Sequence, residues 1–157
     1  MKRELPYDLP ASIDPSWRIG IVASSFYKEE IDALIDGATK TFTDAGIDAK
    51  NVTVHTVPGS FEIPLIGAAL AEAEKVDALI AFGIIVEGDT HHARLLADAA
   101  TQGIMETQLT YHVPFAFEVL YVNTLADAQA RCIGPNNKGV EAAAAVLQSL
   151  ATLNDIS

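Results

Sequence analysis

A three-layer α/β/α sandwich around a central, mainly four-stranded parallel sheet, preceded by an extended N-terminal arm, is the fold this sequence predicts. Three observations carry that expectation. Short apolar runs alternate with amphipathic segments of helical period. Glycine or small polar residues punctuate the ends of the apolar runs. The spacers between successive apolar runs are long enough for helical crossovers, which forces the strands to run parallel and right-handed.

The elements follow in order. Residues 1–16 hold Pro6, Pro10 and Pro15 and show no periodicity, which predicts an extended arm able to lie on a neighbouring chain. "RIGIVASS" (18–25) reads as a buried strand. Lys28 to Ala45 places Ile31, Leu34, Ile35, Ala38 and Phe42 on one helical face, with Gly46 as the stop. The unit then recurs. "NVTVHTV" (51–57) precedes a helix from about Glu62 to Lys75, in whose first turn Pro64 is tolerated. "DALIAFGIIV" (77–86) precedes a helix from about Thr90 to Leu109. A fourth strand, "PFAFEVLYV" (114–122), leads to a short helix near 125–131 and an alanine-rich helix from about Lys138 to Leu153. Residues 17–157 therefore read as one domain.

Composition narrows the function classes. The chain has 157 residues, of which 50% are hydrophobic and 20% charged, and its mean hydropathy is +0.23. That surplus of apolar surface predicts burial against copies of itself. A formal charge of -11 disfavours nucleic acid and anionic membranes as partners. No apolar window approaches the roughly 18 residues of a membrane span, and the N-terminus lacks the apolar core of a signal peptide. A single cysteine, Cys132, forms no intramolecular disulfide and offers no thiolate cluster for zinc or iron-sulfur ligation, so a reducing, cytoplasmic setting is expected.

In parallel sheets ligands gather at the carboxyl ends of strands, so the residues after each strand carry the functional signal. After the first comes "SSFYKEE", where Phe26 could stack on a planar ligand or staple the following helix. After the second comes "VPGSFEIP": Gly59 and Ser60 allow close backbone approach, and Glu62 offers a carboxylate that could bind a ligand or cap a helix. After the third comes "VEGDTHH". Gly88 turns the chain, Asp89 or Thr90 can cap the helix, and the free amides of its first turn suit an anion. Adjacent histidines on a helix point about 100° apart, so His91 and His92 do not share a metal. One of them facing the loop could move protons near neutral pH. No phosphate-loop lysine, dinucleotide fingerprint or nucleophile elbow occurs. Phe117, near the start of the fourth strand, lies toward the end opposite these loops and would meet a ligand only in a neighbouring subunit. After Lys75 the only basic side chains are Arg94, Arg131 and Lys138, so an anion site has few cations to draw on.

"SSFY", "VPGSFEIPL", "FGIIVEGDTHH", "VPFAFEVL" and "NKGVEAAAAVLQSL" stand in the order and nearly the spacing of the lumazine synthase family, which the chain resembles from about Arg18 to Leu153. The resemblance implies a flavodoxin-like fold and a cofactor-free condensation. In it, 5-amino-6-(D-ribitylamino)uracil and 3,4-dihydroxy-2-butanone 4-phosphate form 6,7-dimethyl-8-ribityllumazine in riboflavin biosynthesis. It implies stacking of the pyrimidine on Phe26, a ribityl and ring site at Ser60, Phe61 and Glu62, and ring contacts from Ile84, Ile85 and Val86. Asp89 and Thr90 fall at the phosphate of the butanone, and His92, not His91, at the proton donor. Phe117, Lys138 and Arg131 match positions that reach the site from an adjacent subunit, Arg131 toward the phosphate. Pentamers, or twelve pentamers in a hollow icosahedral shell, are implied, with riboflavin synthase as a further partner. Competing expectations are an archaeal-type riboflavin synthase paralogue and a non-catalytic lumazine- or flavin-binding shell protein. Two departures stand out. Glu87 occupies a loop position that is basic in most of the family, where it either points outward or weakens phosphate binding. The segment "RCIGPNNK" is one residue short and stiffened by Pro135.

Overall fold

A computed structural model describes residues 8–157, so Met1 to Tyr7 of the expected arm lie outside the described residues. The elements are β1 (Ile19–Ser24), α1 (Lys28–Ala45), β2 (Val52–Val57), α2 (Ile63–Glu72), β3 (Ala78–Val86), α3 (His92–Tyr111), β4 (Phe115–Val122), α4 (Leu125–Cys132) and α5 (Lys138–Ile156). Single 3-10 turns at Ala49–Asn51 and Ser60–Glu62 precede β2 and α2. All pairings are parallel in the order β2-β1-β3-β4. The predicted flavodoxin-like sandwich is the observed fold.

The central apolar runs are strands because both faces of the middle of the sheet are covered, whereas β2 and β4 are only partly buried. β1 and β3 are buried almost throughout, and their alternate side chains feed two cores. Ile19, Ile21, Ile80, Phe82 and Ile84 pack with Leu34 and Phe42 of α1 and Val146 and Leu147 of α5. Val22, Leu79, Ala81 and Ile85 pack with Ile63 of α2 and Ala97 and Ile104 of α3. Fully burying a side chain such as Phe42 or Phe82 contributes about 2–3 kcal/mol each.

Helix limits follow local chemistry. α1 ends where Gly46, at φ 107°, takes the left-handed turn and its N–H reaches the Phe42 and Thr43 carbonyls. α2 carries Pro64 in its first turn and stops at Glu72, short of Lys75, with Glu74 left-handed at φ 54°. α3 begins at His92 rather than Thr90, because Asp89 and Thr90 remain in the exposed loop and the Thr90 hydroxyl accepts the His92 N–H at 3.3 Å. Asn137 caps α5 by accepting the Gly139 N–H at 2.7 Å, while its amide donates to the Ala33 carbonyl of α1 at 2.8 Å.

Residues 8–16 form no helix or strand. Their later part lies on its own domain: Ile13, like the adjoining Trp17, packs on the α1/α5 core, and the Asp48 N–H donates to the Pro15 carbonyl at 3.2 Å. The Gln148 amide donates to the Asp8 carbonyl. Cys132 is fully buried, and burial, reinforced by Glu30 and Glu118, pushes its thiol up to about 11.

Candidate active site

β1 and β3 are the central pair, and the chain crosses to opposite sides of β1 on leaving it and on returning, so a crevice opens at their carboxyl ends. A cleft of about 740 Å³ occupies that position. Its walls come from the three loops singled out in the sequence.

The first wall is Phe26, 64% exposed, whose N–H donates to the Ser24 hydroxyl at 3.2 Å. Tyr27 follows in the left-handed region at φ 56°, starting α1 and lining the same cleft. Ser25 ties this loop to the second, its hydroxyl donating to the Val57 carbonyl at 2.6 Å.

The second wall is Gly59 to Glu62. Gly59 lies under Phe26, where a β-carbon would meet the ring at 3.4 Å. Its N–H donates to Glu62 Oε2 at 3.1 Å, so the carboxylate closes the 3-10 turn and stands in the cleft wall at once. Ser60 is buried against Gly83, where an added β-carbon would come within 2.3 Å of its hydroxyl oxygen. Gly83 thus seats Ser60, a role signalled only by a glycine inside an apolar strand.

The third wall is Ile84, Ile85 and Val86 at the end of β3, with His92 and, further along α3, Leu95 and Leu96. His91 does not line the cleft. It stands beside Glu87, whose carboxyl is held below the usual carboxylate range first by the Tyr121 phenol, then by the Gly88 N–H, with His91 and Arg94 adding positive charge. Glu87 therefore points outward, toward β4 and the outer face of α3.

Eight expected residues, Phe26, Ser60, Phe61, Glu62, Ile84, Ile85, Val86 and His92, meet in this cleft. Asp89 and Thr90 are exposed on the adjoining loop. Three stand apart within the single chain. Phe117 is 45% exposed on β4. Arg131 lines a separate polar hollow of about 380 Å³ with Glu87, Tyr121 and Asp127, and its Nη1 donates to the Asp127 carbonyl at 2.7 Å. Lys138 pairs with Glu141 at 2.9 Å in a half-buried position at the start of α5. Tyr27, Gly83, Leu95 and Leu96 were not singled out by the sequence; Leu95 and Leu96 lay there only within the helix expected from about Thr90 to Leu109. Among the described residues, no three His, Cys, Asp or Glu side chains converge as metal ligands, and no helix is long and apolar enough to cross a membrane.

An apolar crevice with an aromatic face, one carboxylate and one histidine defines a small-molecule-binding α/β protein equipped for proton transfer. A model of the 6,7-dimethyl-8-ribityllumazine synthase family matches residues 16–154. The synthase of that name from Mycolicibacterium vanbaalenii is 40% identical over 153 residues, covering 96% of this chain and 95% of the relative. That of Parabacteroides distasonis is 38% identical over 144 residues, 90% of each chain, and that of Thermus thermophilus 36% over 141 residues, 89% and 90%. The chain belongs to the 6,7-dimethyl-8-ribityllumazine synthase family.

Proposed function

We propose that the chain condenses 5-amino-6-(D-ribitylamino)uracil with 3,4-dihydroxy-2-butanone 4-phosphate, giving 6,7-dimethyl-8-ribityllumazine, phosphate and two waters. The observation that carries this reading is the convergence of Phe26, Glu62 and His92 in one cleft at the sheet's switch point. Phe26 offers an exposed face to the pyrimidine, while the backbone of Ile84 to Val86 runs along the cleft floor to meet the ring's polar edge. Ser60, Phe61 and Glu62 take the ribityl chain. The Asp89 and Thr90 loop takes the phosphate.

The chemistry needs proton movement more than strong electrophiles. The ring amine attacks the ketone and water leaves, giving an imine. Phosphate departs by elimination, the enol tautomerises, and the second nitrogen closes the ring with loss of another water. His92, at the mouth of the loop, serves the proton transfers, and binding both substrates side by side supplies the approach.

Phe117, Arg131 and Lys138 lie outside the cleft of their own chain, which supports sites completed by an adjacent copy in a pentamer or a shell of pentamers. Arg131 would then meet the phosphate as a planar fork. The family's next enzyme, riboflavin synthase, is the expected recipient of the product in the cytoplasm. Incubating the purified protein with both substrates, following lumazine absorbance and phosphate release together, tests the reading. Absence of both would refute it, and riboflavin formed from added lumazine would point to the dismutating paralogue instead.

A further inference from the structure

Glu87 puts a negative charge two residues before Asp89, at the threshold of the loop assigned to a phosphate ester. Its placement is tightly specified. The Glu87 N–H donates to the Val122 carbonyl of β4 at 2.8 Å. One carboxylate oxygen accepts the Gly88 N–H at 3.1 Å, and the other accepts the Tyr121 hydroxyl proton. Tyr121 is the residue paired with Ile85 across β3 and β4, so the phenol rises from the neighbouring strand beside the end of β3. The carboxylate lines the polar hollow with Tyr121, Asp127 and Arg131, and not the cleft that holds His92.

An exposed glutamate without such a bond turns freely about its side-chain torsions. From this position its charge could reach toward the loop amides and repel an incoming phosphate. A charge-assisted O–H···O bond to a phenol fixed on a strand restricts it to the other side.

We propose that Tyr121 is a positioning residue for phosphate capture: it holds the Glu87 carboxylate against β4 and so keeps a second acidic side chain, besides that of Asp89, away from the Gly88–His92 loop. This rests on the condensation reading, in which that loop receives the phosphate of the butanone. Tyr121 thereby has a part that the sequence did not suggest.

The test is a double-mutant cycle read by steady-state kinetics at low ionic strength. Tyr121→Phe removes only the hydroxyl; the KM for the butanone phosphate is expected to rise about fivefold, with kcat and the KM for the pyrimidine within about twofold. Adding Glu87→Gln removes the charge that was released, and the KM should return to near the wild-type value. Loss of packing alone would not be rescued in this way. An unchanged KM in Tyr121→Phe, a parallel rise for both substrates, or no rescue by Glu87→Gln would each overturn the proposal. Calorimetric titration of inorganic phosphate into the same variants reads the cycle without turnover. A chain that follows this pattern for phosphate yet makes no lumazine would sink the condensation reading and leave the Tyr121 assignment standing.

Discussion

His91 and His92 are neighbours with different surroundings, and that difference decides their chemistry. His92 opens α3 and lines the cleft, whereas His91 stands on the Glu87 side. His92→Ala is expected to lower kcat by about 10²-fold, within the range of general acid–base catalysis, and His91→Ala by less than about threefold, as read from the rate of lumazine formation. The sequence pattern said only that the two could not act as one, and the choice of His92 came from the resemblance; His91 in fact stands just outside α3, as its N-terminal flanking residue. The orientation of Glu87 was not legible, since its partner Tyr121 lies 34 residues away and is brought near only by the register of β3 and β4. Cys132 supplies a second expectation at this scale. Its folded-state thiol is raised above the ordinary value of 9.0, to about 11. Stability from this group is therefore complete below the unfolded value and falls as pH rises through the folded one. Urea melts between about pH 8 and 11 should show a steeper alkaline loss for wild type than for Cys132→Ala.

Elements were read more securely than their ends. The helices at 28–45 and the four strands appear in the sequence because hydrophobic period and glycine stops agree. The ends that moved did so for local reasons: the 3-10 turn at Ser60–Glu62 replaces the first α turn because Glu62 reaches back to the Gly59 N–H. Packing between α1 and α5 was beyond sequence pattern. There the Gly139 α-carbon lies so near the Leu34 carbonyl that a β-carbon would stand 2.1 Å from the oxygen. Gly139→Ala should destabilise the fold by roughly 2–3 kcal/mol, seen as a lower midpoint in urea, because α5 must shift off α1. Lys138 and the Asn137 cap stand at that same junction, so the variant should also weaken any contribution of Lys138 to a neighbouring site.

At the scale of the whole molecule, apolar side chains at the surface need a destination. Leu65, Leu95, Leu109 and Phe117 are all strongly exposed in the single chain. Copies of the same chain are the covering that the proposed assembly supplies, and sites completed by an adjacent copy make a specific prediction. His92→Ala and Arg131→Ala should each be poorly active alone; co-refolded in equal amounts they should regain activity, with about a quarter of sites carrying both intact residues. No recovery would place both residues in one chain's site. The chain's single thiol, Cys132, is sealed in the core and kept protonated at neutral pH. It is consequently silent toward thiol reagents in the folded protein, so a cysteine introduced on the exposed loop at Asp89 or at the tip near Gly134 would be one addressable handle per copy. An oligomer built from such chains could be labelled, tethered or cross-linked at one defined point on every subunit without first removing the native cysteine.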